Sequence, residues 1–98
     1  MIDRILVVCI GNICRSPMAE GLLRLRLAGR TGVTVGSAGI AARVGEPADP
    51  MAQGLMRERG IDIAGHRARQ LTPELAGAHD LVLVMEQEHE RALLEIAP

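Results

Sequence analysis

The chain has 98 residues, with 11 basic and 12 acidic side chains and a formal net charge of -1. It reads as one small domain without the basic balance that general nucleic-acid affinity requires. No apolar run reaches membrane-spanning length, no secretory signal opens the sequence, and two cysteines, Cys9 and Cys14, are too few for a secreted disulfide scaffold. The expected compartment is a reducing cytoplasm. Phe, Tyr and Trp are absent, so the core has to be Leu, Ile, Val, Met and Ala, in a chain whose size limits the surface it can bury.

In chain order, residues 4–8 (with Ile5-Leu6-Val7-Val8) predict a buried parallel strand ended by a Gly-containing loop. Pro17 fits the first position of a helix over 17–29, with Ser16 as its N-cap. Met18, Leu22 and Leu25 form one apolar line along it, and Ala19, Leu23 and Leu27 another; Gly29 and Gly32 mark its end. The alternation of 33–37 predicts an edge strand. A Gly-, Ala- and Pro-rich loop follows, then a helix over 50–59 started by Asp49-Pro50 and stopped by Gly60. A polar connection carries His66 and Arg69, and a helical turn follows Thr72-Pro73. Residues 80–85 predict a second buried strand and 87–96 a last helix. This order implies an α/β fold with a parallel sheet and right-handed crossovers.

The chemistry is concentrated in Cys9-Ile10-Gly11-Asn12-Ile13-Cys14-Arg15-Ser16-Pro17. Cys9 stands at a strand end, Arg15 at the far side of a tight loop, and Ser16-Pro17 opens a helix. Without a metal, attack on an anionic phosphate ester needs donors around the phosphoryl group and an ionised nucleophile. The amides of a loop entering a helix supply the donors, and their field favours a thiolate. The Arg15 guanidinium offers a fork for two phosphoryl oxygens. Gly11 permits close backbone approach. The Ser16 hydroxyl can donate to the sulfur when it leaves. The phosphate-binding set is thus Ile10, Gly11, Asn12, Ile13, Cys14 and Arg15, with Cys9, Arg15 and Ser16 as catalytic candidates.

Other residues carry plainer readings. His66 alone reads as a surface or cap histidine, His79 as a loop residue, and His89 as a residue of an exposed helix face. Arg24, Arg26 and Arg30 read as a solvated face. Asp49 reads as a helix start rather than a general acid, and Met51, Met56 and Met85 as core filler. No spacing of His, Cys and carboxylates predicts a metal, and no cofactor is expected.

The nine-residue string resembles the signature of the low-molecular-weight protein tyrosine phosphatases. The resemblance continues through Met18-Ala19-Glu20, Ser37-Ala38-Gly39, Ala48-Asp49-Pro50, Gly65-His66-Arg67-Ala68-Arg69-Gln70 and Asp80-Leu81-Val82-Leu83-Val84-Met85. It is most similar to the bacterial branch that partners tyrosine autokinases in exopolysaccharide synthesis. The resemblance implies a Rossmann-like, doubly wound sheet, Cys9 as nucleophile passing through a phosphocysteine, and Arg15 as phosphoryl ligand. It also implies that Asn12, Ser37 and His66 brace the loop, and that Cys14 is a redox partner able to form a disulfide with Cys9. Phosphotyrosine proteins would be partners, and phosphate, sulfate or vanadate would occupy the loop.

The sequence also departs from that family. Its members run on into a fourth strand, an Asp-Pro-aromatic loop carrying the general acid, and a C-terminal helix. The expectation is therefore an incomplete domain over 1–98, with three strands in the order 2-1-3 and impaired turnover. The exposed sheet edge or the first helix would then be open to a second copy. Residues Ile40, Ala42, Arg43 and Val44 stand where eukaryotic members place an aromatic specificity residue. The alternatives are an arsenate reductase-like oxidoreductase, for which further cysteines are wanting, a protein-arginine phosphatase, which carries Thr at the position of Ile13, and an inactive oxyanion-binding module.

Overall fold

The computed structural model describes residues 2–85 and 87–96. Its elements are β1 (Arg4–Cys9), α1 (Arg15–Arg26), β2 (Thr34–Gly39), α2 (Pro50–Glu58), α3 (Pro73–Gly77), β3 (Leu81–Val84) and α4 (Gln87–Ile96). The three strands form one parallel sheet in the order β2-β1-β3. β1 lies at the centre because its residues are apolar on both sides. Leu6 and Val8 face one layer, with Ala38, Leu71, Leu75 and Leu93. Ile5 and Val7 face the other, with Val35 and the Ala19, Leu23 and Leu27 line of α1. Period-two alternation thus feeds two cores, with α1 on one side and α3 and α4 on the other.

α2 does not pack on the sheet. Its buried Ala52 and Met56 close a third cluster with Ala48 and Ile63, against Met18 of α1. Asp49 caps α2 by accepting the Met51 amide at 2.9 Å, and Pro50 needs no donor at the first helical position. Thr72 caps α3 in the same way through the Leu75 amide.

Several sequence expectations need correction. α1 begins at Arg15 with Cys14 as its cap residue, because the Cys14 carbonyl already accepts the Met18 amide at 3.2 Å. Ser16 is therefore not the N-cap; it lies inside the first turn with its hydroxyl bonded elsewhere. α1 also ends at Arg26, before Gly29. Leu22 and Leu25, expected to share an apolar face, are exposed, since the sheet takes only the Ala19 line. β3 is half-buried rather than buried. Met51 is 76% exposed and fills no core, while Met56 is buried. His89 is the reverse case: it is 4% exposed, with an Nδ1 that lacks a partner among the described residues.

At the other end of the sheet, Asp80 ties β3 to the start of β1. Its Oδ2 accepts the amides of Asp3 at 2.8 Å and Arg4 at 3.0 Å. These bonds, Asp3's first and then Arg4's, hold its carboxyl below the ordinary 3.8. A lowered carboxyl contributes stability above its unfolded value that is lost as pH falls through the folded one. Asp80→Asn is accordingly expected to flatten the loss of stability as pH falls below about 4. The urea midpoint followed against pH is the measurement, and an unchanged acid limb would refute the role given to Asp80.

Candidate active site

The site lies at the carboxyl edge of β1, where Cys9 pairs in register with Gly39 and the chain turns into α1. Six successive carbonyls, from Cys9 to Cys14, are bonded to donors outside the loop. Cys9 O accepts Ile40 N at 2.9 Å, Ile10 O accepts Ala41 N at 2.9 Å, and Gly11 O accepts Arg43 N at 3.0 Å. Ile13 O accepts Asp49 N at 2.7 Å, Cys14 O accepts Met18 N at 3.2 Å, and Asn12 O accepts His66 Nε2 at 2.6 Å. Because a carbonyl only accepts, His66 carries its proton on Nε2. A trans peptide points its N–H opposite to its C=O, so the amides of Ile10 through Arg15 are turned to the inside of the loop. The Asn12 amide shows that direction: it donates to Cys9 Sγ at 3.3 Å. Stacked inward amides at a helix start form a nest for an oxyanion.

Asn12 holds this shape. Its φ is 59°, in the left-handed region, and it is fully buried. Its Oδ1 accepts the Arg69 amide at 2.9 Å, which fixes the orientation of the side-chain amide. Nδ2 then donates to Ser16 Oγ at 2.8 Å and to Ser37 Oγ at 2.9 Å. Ser16 Oγ also forms a hydrogen bond with Cys9 Sγ at 2.8 Å, in which either group can donate. Ser37 Oγ donates a hydrogen bond to Glu20 Oε1 at 2.5 Å. Cys9 is buried, and its sulfur accepts the Asn12 amide and lies against the Ser16 hydroxyl. Gly39 admits no side chain: a Cβ there would sit 2.5 Å from Ile10 O. Cys14 is exposed and Cys9 buried, and both are free thiols.

Sequence reasoning gave no role to Glu20, Arg24 or Arg69. Glu20 accepts from Ser37 and pairs with Arg24 at 2.7 Å; Arg24, read as solvated, also donates twice to Val35 O, at 2.9 and 3.1 Å. Arg69 donates Nε to Ser37 O at 2.8 Å and its amide to Asn12. The spacing Ser16, Glu20, Arg24, four residues apart along α1, was the available signal. Among the described residues, no group of three or more His, Cys, Asp or Glu is placed to hold a metal ion, and no helix is long and apolar enough to cross a membrane.

Fold and loop define an α/β protein with a Cys-x5-Arg nest at the carboxyl edge of a parallel sheet. Residues 4–98 match the family described as low molecular weight phosphotyrosine protein phosphatase, and the chain belongs to that family. It is 57% identical over 93 residues to the probable low molecular weight protein-tyrosine-phosphatase EpsP of Ralstonia solanacearum, covering 95% of this chain and 62% of that one. It is 50% identical over 96 residues to the low molecular weight protein-tyrosine-phosphatase Etp of Escherichia coli K12, covering 98% and 63%. The structure of Vibrio vulnificus Wzb in complex with benzylphosphonate superposes with a TM-score of 0.94 at 46% identity, over 100% of this chain and 68% of that one. The chain therefore spans a little under two thirds of the length of these curated relatives.

Proposed function

We propose that this protein hydrolyses phosphotyrosine in proteins through a phosphocysteine. The observation that carries the reading is the outward bonding of six consecutive loop carbonyls, which turns the amides inward around Cys9 Sγ. In the first step the Cys9 thiolate forms a bond to phosphorus while the bond from phosphorus to the tyrosyl oxygen breaks, and the phenolate takes a proton. In the second, water attacks the phosphocysteine, inorganic phosphate leaves, and the Ser16 hydroxyl donates to the departing sulfur. Inward amides and the Arg15 guanidinium stabilise the charge on the equatorial oxygens. The same nest takes free phosphate, sulfate or vanadate. Wzb with benzylphosphonate supports the reading, as does the family match.

The test is steady-state hydrolysis of matched phosphotyrosine and phosphoarginine peptides. Preference for phosphotyrosine is expected, because Ile13 puts an apolar side chain at the loop where a hydroxyl would suit a guanidinium phosphate. A clear preference for phosphoarginine would reverse the assignment.

Proton delivery to the phenolate is a separate question. Asp49 is bonded to the loop through its amide, but its carboxylate caps the Met51 amide. We infer that Asp49, whose carboxylate is held in the cap of α2, is not the acid. General acid catalysis is worth about 10²–10⁴ in rate, and a phenol of pKa about 10 leaves poorly without it. Asp49→Asn is therefore expected to leave the dependence of rate on leaving-group pKa unchanged across a series of aryl phosphates. A loss of about 10²-fold in that variant, confined to leaving groups of high pKa, would return Asp49 to candidacy.

A further inference from the structure

Behind the loop, between α1 and the 60–67 segment, runs a cleft of about 660 Å³. Its floor is the open edge of β2. A bare strand edge invites another strand, but this one is occupied: Arg24 takes Val35 O and Arg69 takes Ser37 O, at successive outward positions. Gly36 between them makes room, since a Cβ there would lie 2.6 Å from a terminal nitrogen of Arg69. A third guanidinium, Arg67, is held over the same cleft by Ala64 O at 3.2 Å and His66 O at 2.7 Å. The carboxylates of the lining are already engaged. Glu20 is bonded through both oxygens, to Ser37 and Arg24, and Asp62 caps the Ala64 amide at 2.8 Å. Leu25, Ile61 and Ile63 supply apolar wall.

We propose that this cleft is a second, non-catalytic site for a small organic dianion, and that its occupancy is felt by the phosphate loop through Arg69. Main-chain carbonyls hold the three guanidiniums in place, so the cost of ordering them on binding is low. Arg67 and Arg69 each keep one edge of the planar fork that grips an oxyanion, while Arg24, paired with Glu20, offers Nη1 alone. Arg24 and Arg69 bond alternate carbonyls of one strand, roughly 7 Å apart, which suits two anionic groups on one short apolar body. A peptide strand is disfavoured because the carbonyls it would pair with are taken. Coupling follows from bonding: the residue that would grip the ligand also donates to Ser37 O and to Asn12 Oδ1. Any effect must be reciprocal between the two sites.

The experiment is a titration with isophthalate, followed by amide chemical shifts with vanadate saturating the loop. Saturable shifts at Gly21, Gly36, Gly60 and Gly65 are expected, about tenfold weaker with benzoate or in Arg67→Gln. Shifts that do not saturate, or that ignore both changes, overturn the site. The dissociation constant of sulfate is then measured with and without saturating isophthalate. A change of about fivefold is the expected size, and an unchanged constant overturns the coupling. Failure of the loop to bind sulfate at all would count against the proposed function, while the first titration would still decide the cleft.

Discussion

Cys9→Ser is expected to abolish turnover, by at least about four orders of magnitude, while leaving sulfate affinity within about threefold, because an uncharged hydroxyl keeps the loop's donors in place. The hydroxyl can occupy the place of the sulfur between Ser16 Oγ and the Asn12 amide, so the loop keeps its shape. It lacks the means to become a nucleophile. A serine needs a neighbouring base, and the histidine bonded to the loop, His66, donates through Nε2 to Asn12 O. The other partners of the residue are a hydroxyl and an amide, neither of which takes a proton at neutral pH. Stopped assays on a phosphotyrosine peptide, with calorimetry of sulfate binding, separate chemistry from binding. Wild-type turnover in the serine variant would assign the chemistry to another group. Loss of turnover together with sulfate binding would place the damage in the fold of the loop.

Asn12 carries the second large effect. Its side chain makes three hydrogen bonds, to Ser16, Ser37 and Arg69, from a fully buried position at positive φ. Asn12→Gly suits the backbone and removes all three bonds, leaving buried Ser16 and Ser37 hydroxyls short of a donor. The expected loss is about 2–4 kcal/mol of stability, or a fall in Tm on the order of 10–25 °C for a chain of this size. Asn12→Ala loses the same bonds and adds about 1 kcal/mol of strain for a Cβ in the left-handed region. The order of stability is therefore Asn, then Gly, then Ala. Thermal melts of the three proteins test it. An alanine variant as stable as the glycine one would refute the strain argument, and variants within about 0.5 kcal/mol of wild type would refute the network. Turnover should fall in both, since amides no longer held inward bind the phosphoryl oxygens less well.

Edge exposure bears on assembly. The open side of β2 is covered by Arg24 and Arg69, which are charged groups of the kind that keep an edge from pairing. The far side of β3 carries half-buried Leu81 to Val84. Of the two edges, β2 is thus the guarded one.

The sequence by itself determined the strands, the loop and the starts of two helices, because each rests on local causes. Four consecutive apolar residues made β1 central; Asp49-Pro50 and Thr72-Pro73 set α2 and α3 through caps within three residues; the interval from Cys9 to Arg15 set the loop. It misplaced the start of α1, since Ser16-Pro17 looks like a cap by propensity. Only the folded chain shows the Ser16 hydroxyl turned to Cys9. The partners that shape the loop come from residues remote in sequence: Arg69 reaches Asn12 across 57 positions and His66 across 54. No periodicity encodes such pairs. The burial of His89 and the exposure of Met51 were likewise decided by which face each helix turned to the sheet. Local propensity is additive along the chain, whereas the orientation of one element against another is fixed by packing that every layer shares. The sequence thus located the chemistry, and the tertiary structure decided which distant side chains hold it in shape.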